Sequence, residues 1–352
     1  MATIDDVARE AEVSKTTVSR VLNNNEKVKD DTRARVLAVA KRLGYSTARA
    51  VVRPQWETGR SNIGAILTQA PWDPILARYE RPSRVGQSAW DRTVLRGLET
   101  ALQSEGFNLF VTYMRAYDSQ GELPTFVNTN QVAGVVIVGG LYSDEYVRRL
   151  RRLGLKVMVI GSYMPDPDVQ CIYADNYWGT YMGVSHLLDL GRRSVAFLNG
   201  PAQTRTSADK LRGYREAYES RGLPFDPRLV SARDFSSAEA YRGIQALWPR
   251  RPDAVFCAHS TMADGVMRFL GEHRVRVPED VAIVGYQEEN LVTAIEPALT
   301  YVSYLSWDMG QEAGHRMVQA VRGTQTIGLK TAFPTKLIVR ASCGAKKTGV
   351  AG

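Results

Sequence analysis

Cysteine is nearly absent. The chain holds three in 352 residues, Cys171, Cys257 and Cys343, with no C-x-x-C pair among them. Thiols so few and so widely spaced fit neither a disulfide framework nor a zinc ribbon, and buried free thiols are expected. Histidine is as scarce: His186, His259, His273 and His315 include no H-E-x-x-H spacing, so no metal site is expected. Apolar runs of about 18 residues are missing, which argues against a transmembrane helix. The opening Met1-Ala2-Thr3-Ile4-Asp5-Asp6 is acidic and polar rather than basic and then apolar. It does not read as an export signal, and a cytoplasmic location without a membrane partner is expected. No G-x-x-x-x-G-K-[ST] loop, no G-x-G-x-x-G after the first strand and no G-x-S-x-G elbow occurs. Nucleotide cradling and a hydrolase nucleophile are therefore not indicated, and no cofactor is expected.

What is present is a globular composition, 44% hydrophobic and 23% charged, in a chain long enough for two or three cores. The net charge is +8, and residues 1–60 carry 12 Lys+Arg against 8 Asp+Glu. Half of the basic surplus thus lies in about a sixth of the chain, which favours a polyanion partner at that end.

That end reads as three short helices. Thr3 can cap the first, with Asp6 at the reciprocal position, and Ile4, Val7 and Ala8 form its apolar stripe. A break at Glu12-Val13 leads to Ser14, which caps a second helix. Its stripe is Val18, Val21 and Leu22; Lys15, Thr16, Ser19 and Arg20 lie off the stripe and Thr17 borders it. Asp30 or Asp31 can cap a third helix with Val36, Val39, Ala40 and Leu43 inward, ended by Gly44. Two helices around a tight turn and then a third follow helix-turn-helix logic, in which the second helix enters a major groove. Lys15 and Arg20 can bond guanine or phosphate, and Thr16 and Thr17 bases or phosphate. A small bundle with a solvated polar face is the alternative.

The stretch "TIDDVAREAEVSKTTVSRVLNNNEKVKDDTRARVLAVAKRLGY" (Thr3–Tyr45) closely resembles the DNA-binding head of the LacI/GalR family of bacterial transcription regulators. That family's pattern runs T-I-x-D-V-A, V-S-x-x-T-V-S-R-V-L-N, T-R-x-x-V and L-G-Y, in this order and without gaps. The resemblance implies that Lys15, Thr16 and Arg20 read the groove, with Thr17 and Ser19 beside them and Asn23 and Lys27 near phosphates. The two cap hydroxyls, Thr3 and Ser14, complete the expected DNA-facing set. After L-G-Y the family usually continues P-N-x-x-A-R-x-L, a hinge helix whose leucine wedges into the minor groove. Here the chain reads "STARAVVRPQWETGRSNIGAIL" (Ser46–Leu67). A gapless count puts Pro54 at the wedge; sliding Ala48-Arg49 onto A-R puts Val51 there. Val51, Val52 and Pro54 are the candidates, since apolar side chains including proline can wedge. An ordinary linker is the alternative.

From Ser61 short apolar strands alternate with helices. Strands are expected at 63–67, 108–113, 132–138, 156–160, 194–198, 254–257 and 281–284. Helices are expected at 93–104, 143–152, 177–190, 207–220, 238–247 and 262–272. Such alternation implies parallel sheets covered by helices, with ligands at the strands' carboxyl ends. Stretches such as "VAGVVIVGG", "DNYWGTYMGVSHLLDLGRRSVAFLNGP", "VPEDVAIVGYQ" and "KLIVRAS" resemble the family's effector domain, itself similar to periplasmic sugar-binding proteins. The expected architecture is an N-terminal all-α helix-turn-helix head plus an α/β core of two parallel-sheet lobes, periplasmic-binding-protein-like of type I. Its parts are a head over 1–45, a hinge or linker over 46–60, an effector-binding and dimerisation core over 61–340 and a tail over 341–352. Crossovers near Gly161-Ser162, Leu291-Val292 and Gly328-Leu329 give lobe 1 about 61–161 and 292–328, and lobe 2 about 162–291 and 329–340.

The family binds its small molecule between the lobes. The resemblance places Lys210 where arginine is frequent, Gln287 where aspartate is, and His259 where asparagine is. Phe235 matches a stacking aromatic, and Asp175 an aspartate after the first crossover. The usual Arg, Asp and Asn clamp for sugar hydroxyls is thus altered. An insertion, "TQAPWDPILARYERPSRVGQSAWD" (Thr68–Asp91), follows the first strand. Its Trp72, Tyr79 and Trp90 can stack on a sugar ring, and its Arg78, Arg81 and Arg84 can hold an anion; local packing of a surface loop is the alternative. Trp178 reads as core more readily than as lining.

The leading expectation is a sequence-specific DNA-binding transcription regulator, a repressor. It pairs as a homodimer on a near-palindromic operator under control of a carbohydrate effector. A solute-binding protein without regulatory DNA binding, or an enzyme built on Asp175, His259 and Lys210, are the other readings. The tail carries no leucine heptads, so no coiled-coil tetramerisation segment is expected.

Overall fold

The computed structural model describes residues 4–22, 28–43, 62–69, 89–115, 122–287, 296–324 and 328–345. The expected roles of Thr3, Asn23, Lys27 and Gly44, the hinge with Val51, Val52 and Pro54, and Trp72, Tyr79 and the insertion's arginines fall outside these residues.

The head contains α1 (Ile4–Glu10), α2 (Lys15–Leu22) and α3 (Asp30–Arg42). Val7, Ala8, Ala11, Val18, Val21, Val36, Val39 and Ala40 are its buried centre, with Ile4 and Leu43 packed against it. The turn between α1 and α2 is a Schellman motif: Val13 N–H donates to the Ala8 carbonyl at 3.0 Å and Glu12 N–H to that of Arg9 at 3.3 Å. The left-handed position, usually glycine, is occupied by Glu12 at φ 51°. Ser14 caps α2 by accepting from Thr17 N at 3.1 Å.

The core comprises two six-stranded sheets. In chain order the first lobe brings β1 (Asn62–Gln69), α4 (Ala89–Ser104), β2 (Asn108–Arg115), α5 (Thr125–Asn128), β3 (Gly134–Val138), α6 (Asp144–Arg152), β4 (Lys156–Ile160) and β5 (Gln170–Ala174). The second brings α7 (Asn176–Asp189), β6 (Val195–Asn199), α8 (Arg205–Glu219), β7 (Val230–Ala232), α9 (Ser237–Leu247), β8 (Ala254–Cys257), α10 (Ser260–Glu272), β9 (Ala282–Gln287) and β10 (Thr300–Ser303). The chain then adds α11 (Ser306–Val321), β11 (Lys330–Phe333) and β12 (Lys336–Ile338). Sheet order is β11-β5-β4-β3-β1-β2 in lobe 1 and β12-β10-β9-β8-β6-β7 in lobe 2. Every pairing is parallel except that of β12 with β10.

Strand residues alternate between two buried faces. In β3 and β4, Val136, Val138, Met158 and Ile160 join one apolar cluster, and Val135, Ile137, Val157 and Val159 the other. This two-sided burial is why parallel strands read as continuous apolar runs. The order reverses at β1, which lies between β2 and β3, and at β6, between β7 and β8. Such switch points open a crevice at the strands' carboxyl ends.

The expected lobe boundaries need correction. After β4 the chain stays in lobe 1 as β5, so the first crossing follows Ala174 rather than Gly161-Ser162. Likewise β10 remains in lobe 2, and the second crossing lies between Ser303 and α11, which packs on α4 and β4. Leu291-Val292 is outside the described residues. The third crossing joins β11 to β12 through Pro334-Thr335, not through Gly328-Leu329. Local sequence marks a strand but not its partner; neighbours in a sheet are decided by packing across the whole lobe. The tail also begins as structure. Ser342 Oγ donates to the Ile283 carbonyl at 2.6 Å and accepts from Thr300 N at 2.8 Å, fastening residues 341–343 to lobe 2.

Candidate nucleic-acid interface and interlobe cleft

In the head, α2 divides into two faces. Val18 and Val21 are buried at 0% and 3% exposure, which fixes the helix's rotation on its neighbours. Lys15, Thr16 and Arg20 are exposed, Ser19 half-buried. Thr17 is partly engaged, its hydroxyl hydrogen-bonded to that of Ser14 at 2.9 Å. The acids of α1 are used locally: Lys15 pairs with Asp5, Arg9 with Asp6 at 2.5 Å, and Arg42 with Glu10 at 2.5 Å. Among the described residues no ion pair holds Arg20. The Lys15–Asp5 pair is more than half exposed on both sides. Such pairs are worth little, so an incoming phosphate or base can displace the carboxylate.

In the core, three of the expected cleft residues converge in lobe 2. Lys210, on α8, is 4% exposed. Its Nζ donates to the Ala258 carbonyl at 2.9 Å and to the Tyr304 hydroxyl at 3.1 Å. The Tyr286 ring centroid lies 4.3 Å from Nζ, that of Tyr304 5.6 Å and that of Phe235 6.0 Å. Tyr286 and Tyr304 stack at 4.8 Å. Burial pulls the ammonium down from the ordinary lysine range to about 7. The aromatic faces and the carbonyl oppose that pull by favouring the charged form.

His259 caps α10 and lies 5.5 Å from the Phe235 ring. Burial and the neighbouring charge of Lys210 hold its imidazole down at about 3, so it is neutral near pH 7. Thr261 spends its hydroxyl proton on the Phe235 carbonyl. His259 Nδ1, 3.0 Å from Thr261 Oγ1, makes the cap by accepting from Thr261 N at 3.4 Å, so the neutral ring carries its proton on Nε2, a donor. Phe235 packs over Gly200, where a Cβ would come 2.2 Å from the ring.

The remaining expected residues are placed differently. Asp175 sits at the first crossing and caps α7 by accepting from Trp178 N at 2.9 Å. Trp90 is half-buried in lobe 1, over Gly161, where φ is +93° and an added Cβ would come 2.5 Å from the ring, leaving no room for a side chain. Gln287 ends β9, and its side chain is outside the described set. Trp178 is not core: it is 47% exposed and stacks on Tyr181 at 5.1 Å.

Sequence reasoning missed Tyr286 and Tyr304, which enclose the lysine. Each stands at or just past the carboxyl end of a strand, the one signal that marks them. Among the described residues no three metal-ligating side chains gather, and no helix is long and apolar enough to cross a membrane.

Residues 3–48 match the family model described as bacterial regulatory proteins, lacI family, and residues 184–343 match the periplasmic binding protein-like domain. The chain is 29% identical over 344 residues to the HTH-type transcriptional regulator CelR of Thermobifida fusca, covering 97% of this chain and 98% of CelR. It is 28% identical over 350 residues to the HTH-type transcriptional repressor CytR of Escherichia coli K12, covering 97% and 96%. A solved complex of CelR with cellobiose superimposes with a TM-score of 0.69 at 26% identity, over 97% of this chain and all of that one. The lac repressor dimer bound to operator and an anti-inducer gives 0.67 at 22% identity, over 98% and 99%, a likeness of fold.

Proposed function

This chain is a bacterial regulatory protein of the lacI family, and we propose that α2 reads an operator while a small molecule between the lobes adjusts its grip. The chain is a DNA-binding regulator of transcription, a repressor whose affinity an effector controls. Lys15, Thr16 and Arg20 take the base edges, Thr17 and Ser19 lie beside them, and Ser14 caps the helix against the backbone. The observation that carries this reading is the rotation of α2. Val18 and Val21 point inward, so Lys15, Thr16 and Arg20 face out together.

The effector we assign to the cleft is a carbohydrate, in keeping with the cellobiose held by CelR. Phe235 offers a ring face, and Lys210 and His259 Nε2 offer donors, complementary to the oxygens of sugar hydroxyls. The working form is a homodimer on a near-palindromic site in the cytoplasm. We assign the cleft no catalysis: Asp175 is occupied as a helix cap, and an imidazole held near 3 is no proton donor at neutral pH.

Selection from random duplex tests the reading. The intact protein should enrich a near-palindromic sequence. Arg20→Ala should lose about 1–3 kcal/mol of discrimination per head, the worth of one good base contact. Equal binding of all duplexes by the wild type, or an unchanged preference in Arg20→Ala, refutes the assignment.

A further inference from the structure

Arg205 opens α8 in lobe 2, where a cation faces the positive end of the helix dipole. Local helix stability therefore does not explain it. Its partner lies in the other lobe. Arg205 Nη2 reaches both carboxylate oxygens of Asp144, at 3.0 and 2.8 Å, and Asp144 opens α6 of lobe 1. The two side chains are only 31% and 25% exposed. The guanidinium also lies 5.7 Å from the ring centroid of Tyr163, which follows β4. Tyr163 is held in turn, its ring tilted against that of Tyr173 at 5.6 Å and its carbonyl accepting from the Tyr142 hydroxyl at 3.0 Å. One residue along, a Cβ on Gly140 of lobe 1 would come 3.6 Å from Thr206 Oγ1 of lobe 2. The lobes thus meet at one rim, where the N-termini of α6 and α8 converge.

We propose that Arg205 and Asp144 form a latch between the lobes, a positioning pair whose making and breaking sets the balance between closed and open cleft. Asp144 has a second reason to be where it is, since an acid suits the start of α6; Arg205 has none within its own helix. The two partners begin helices in different lobes, so the pair cannot persist once the lobes swing apart. An effector that closes the cleft gains the bridge, and one that wedges it open loses it. That purpose rests on the proposed effector control; the contact itself does not.

The test measures lobe separation with neither DNA nor sugar present, so its failure is distinct from failure of the regulatory reading. Gln131→Cys in lobe 1 and Glu216→Cys in lobe 2 are exposed labelling sites, while the native cysteines are buried. Spin-labelled protein diluted into excess unlabelled chain reports distances within one subunit. Arg205→Met and Asp144→Asn should each raise the open-to-closed ratio about tenfold, the scale of a half-buried, charge-assisted contact. The exchange of Asp144→Arg with Arg205→Asp should return the ratio toward the wild-type value. Distance distributions that match the wild type in both single variants overturn the latch, as does a folded exchange variant that stays as open as the singles.

Discussion

Lys210 offers the sharpest test of the cleft's physics. The perturbation is Lys210→Met, which keeps much of the stem's volume and removes the amine. In the wild type the buried ammonium is pulled from about 10.5 in the unfolded chain to about 7. The unfolded chain therefore binds more protons than the folded one between those limits. By linkage, the lysine's penalty on stability is full below pH 7 and fades as pH rises toward 10.5, by about 1.4 kcal/mol per pH unit. Between pH 7 and 9.5 that amounts to about 3 kcal/mol. Methionine has no proton to lose, and the Tyr304 hydroxyl keeps the Ala258 carbonyl at 3.4 Å as a partner. The variant's advantage in stability should thus be about 3 kcal/mol larger at pH 6.5 than at pH 9.5, and the two should converge near pH 10.5. Urea unfolding at four pH values measures the difference directly. Other groups that titrate in this window, and the buried thiols and phenols above it, are common to both proteins and cancel. A difference independent of pH, or a variant less stable at pH 6.5, would show that Tyr286, Tyr304 and the carbonyl hold the lysine charged, and the reasoning would fail.

Two further outcomes follow from the same kind of accounting. His259, held at about 3, must take up a proton in the unfolded chain first, so its contribution is complete above pH 6.5 and lost as pH falls; His259→Asn should flatten the acid limb, with about 2 kcal/mol less loss between pH 6.5 and 4.5 in chemical denaturation. In the head, Glu12 occupies a left-handed position at φ 51°, so Glu12→Gly should stabilise α1 and α2 by about 1 kcal/mol, read as amide exchange slowed about fivefold in the intact chain.

Among its described residues the head was largely legible because its information is local, although α3 begins at Asp30 itself rather than after a cap at Asp30 or Asp31. Ser14 caps through Thr17, the break falls at Glu12-Val13, and the inward stripe follows helical spacing over a few residues. The alternation of strands and helices was legible for the same reason; β4 and β8 lie where their apolar runs predict them. The exposed face of α2 came from the same stripe, since naming the buried residues names the exposed ones.

The cleft was legible only as a set of names. Lys210, Phe235 and His259 do converge, yet Asp175 caps a helix and Trp90 belongs to the other lobe. The tyrosines that define the lysine's surroundings come from distant strands: Tyr304 is 94 positions along the chain from its amine, and Arg205 is 61 from Asp144. The sequence by itself determined the helices and strands with strong apolar runs and which side of α2 meets solvent, because those depend on spacings of a few residues, while β5, β7, β10, β11, β12, α5 and α11 went unread. Tertiary structure decided which sheet takes β5, β10 and β12, how deeply the amine at 210 is buried and which charges meet across the lobes. Those depend on contacts between remote segments, whose free energies exist only once both sheets have assembled.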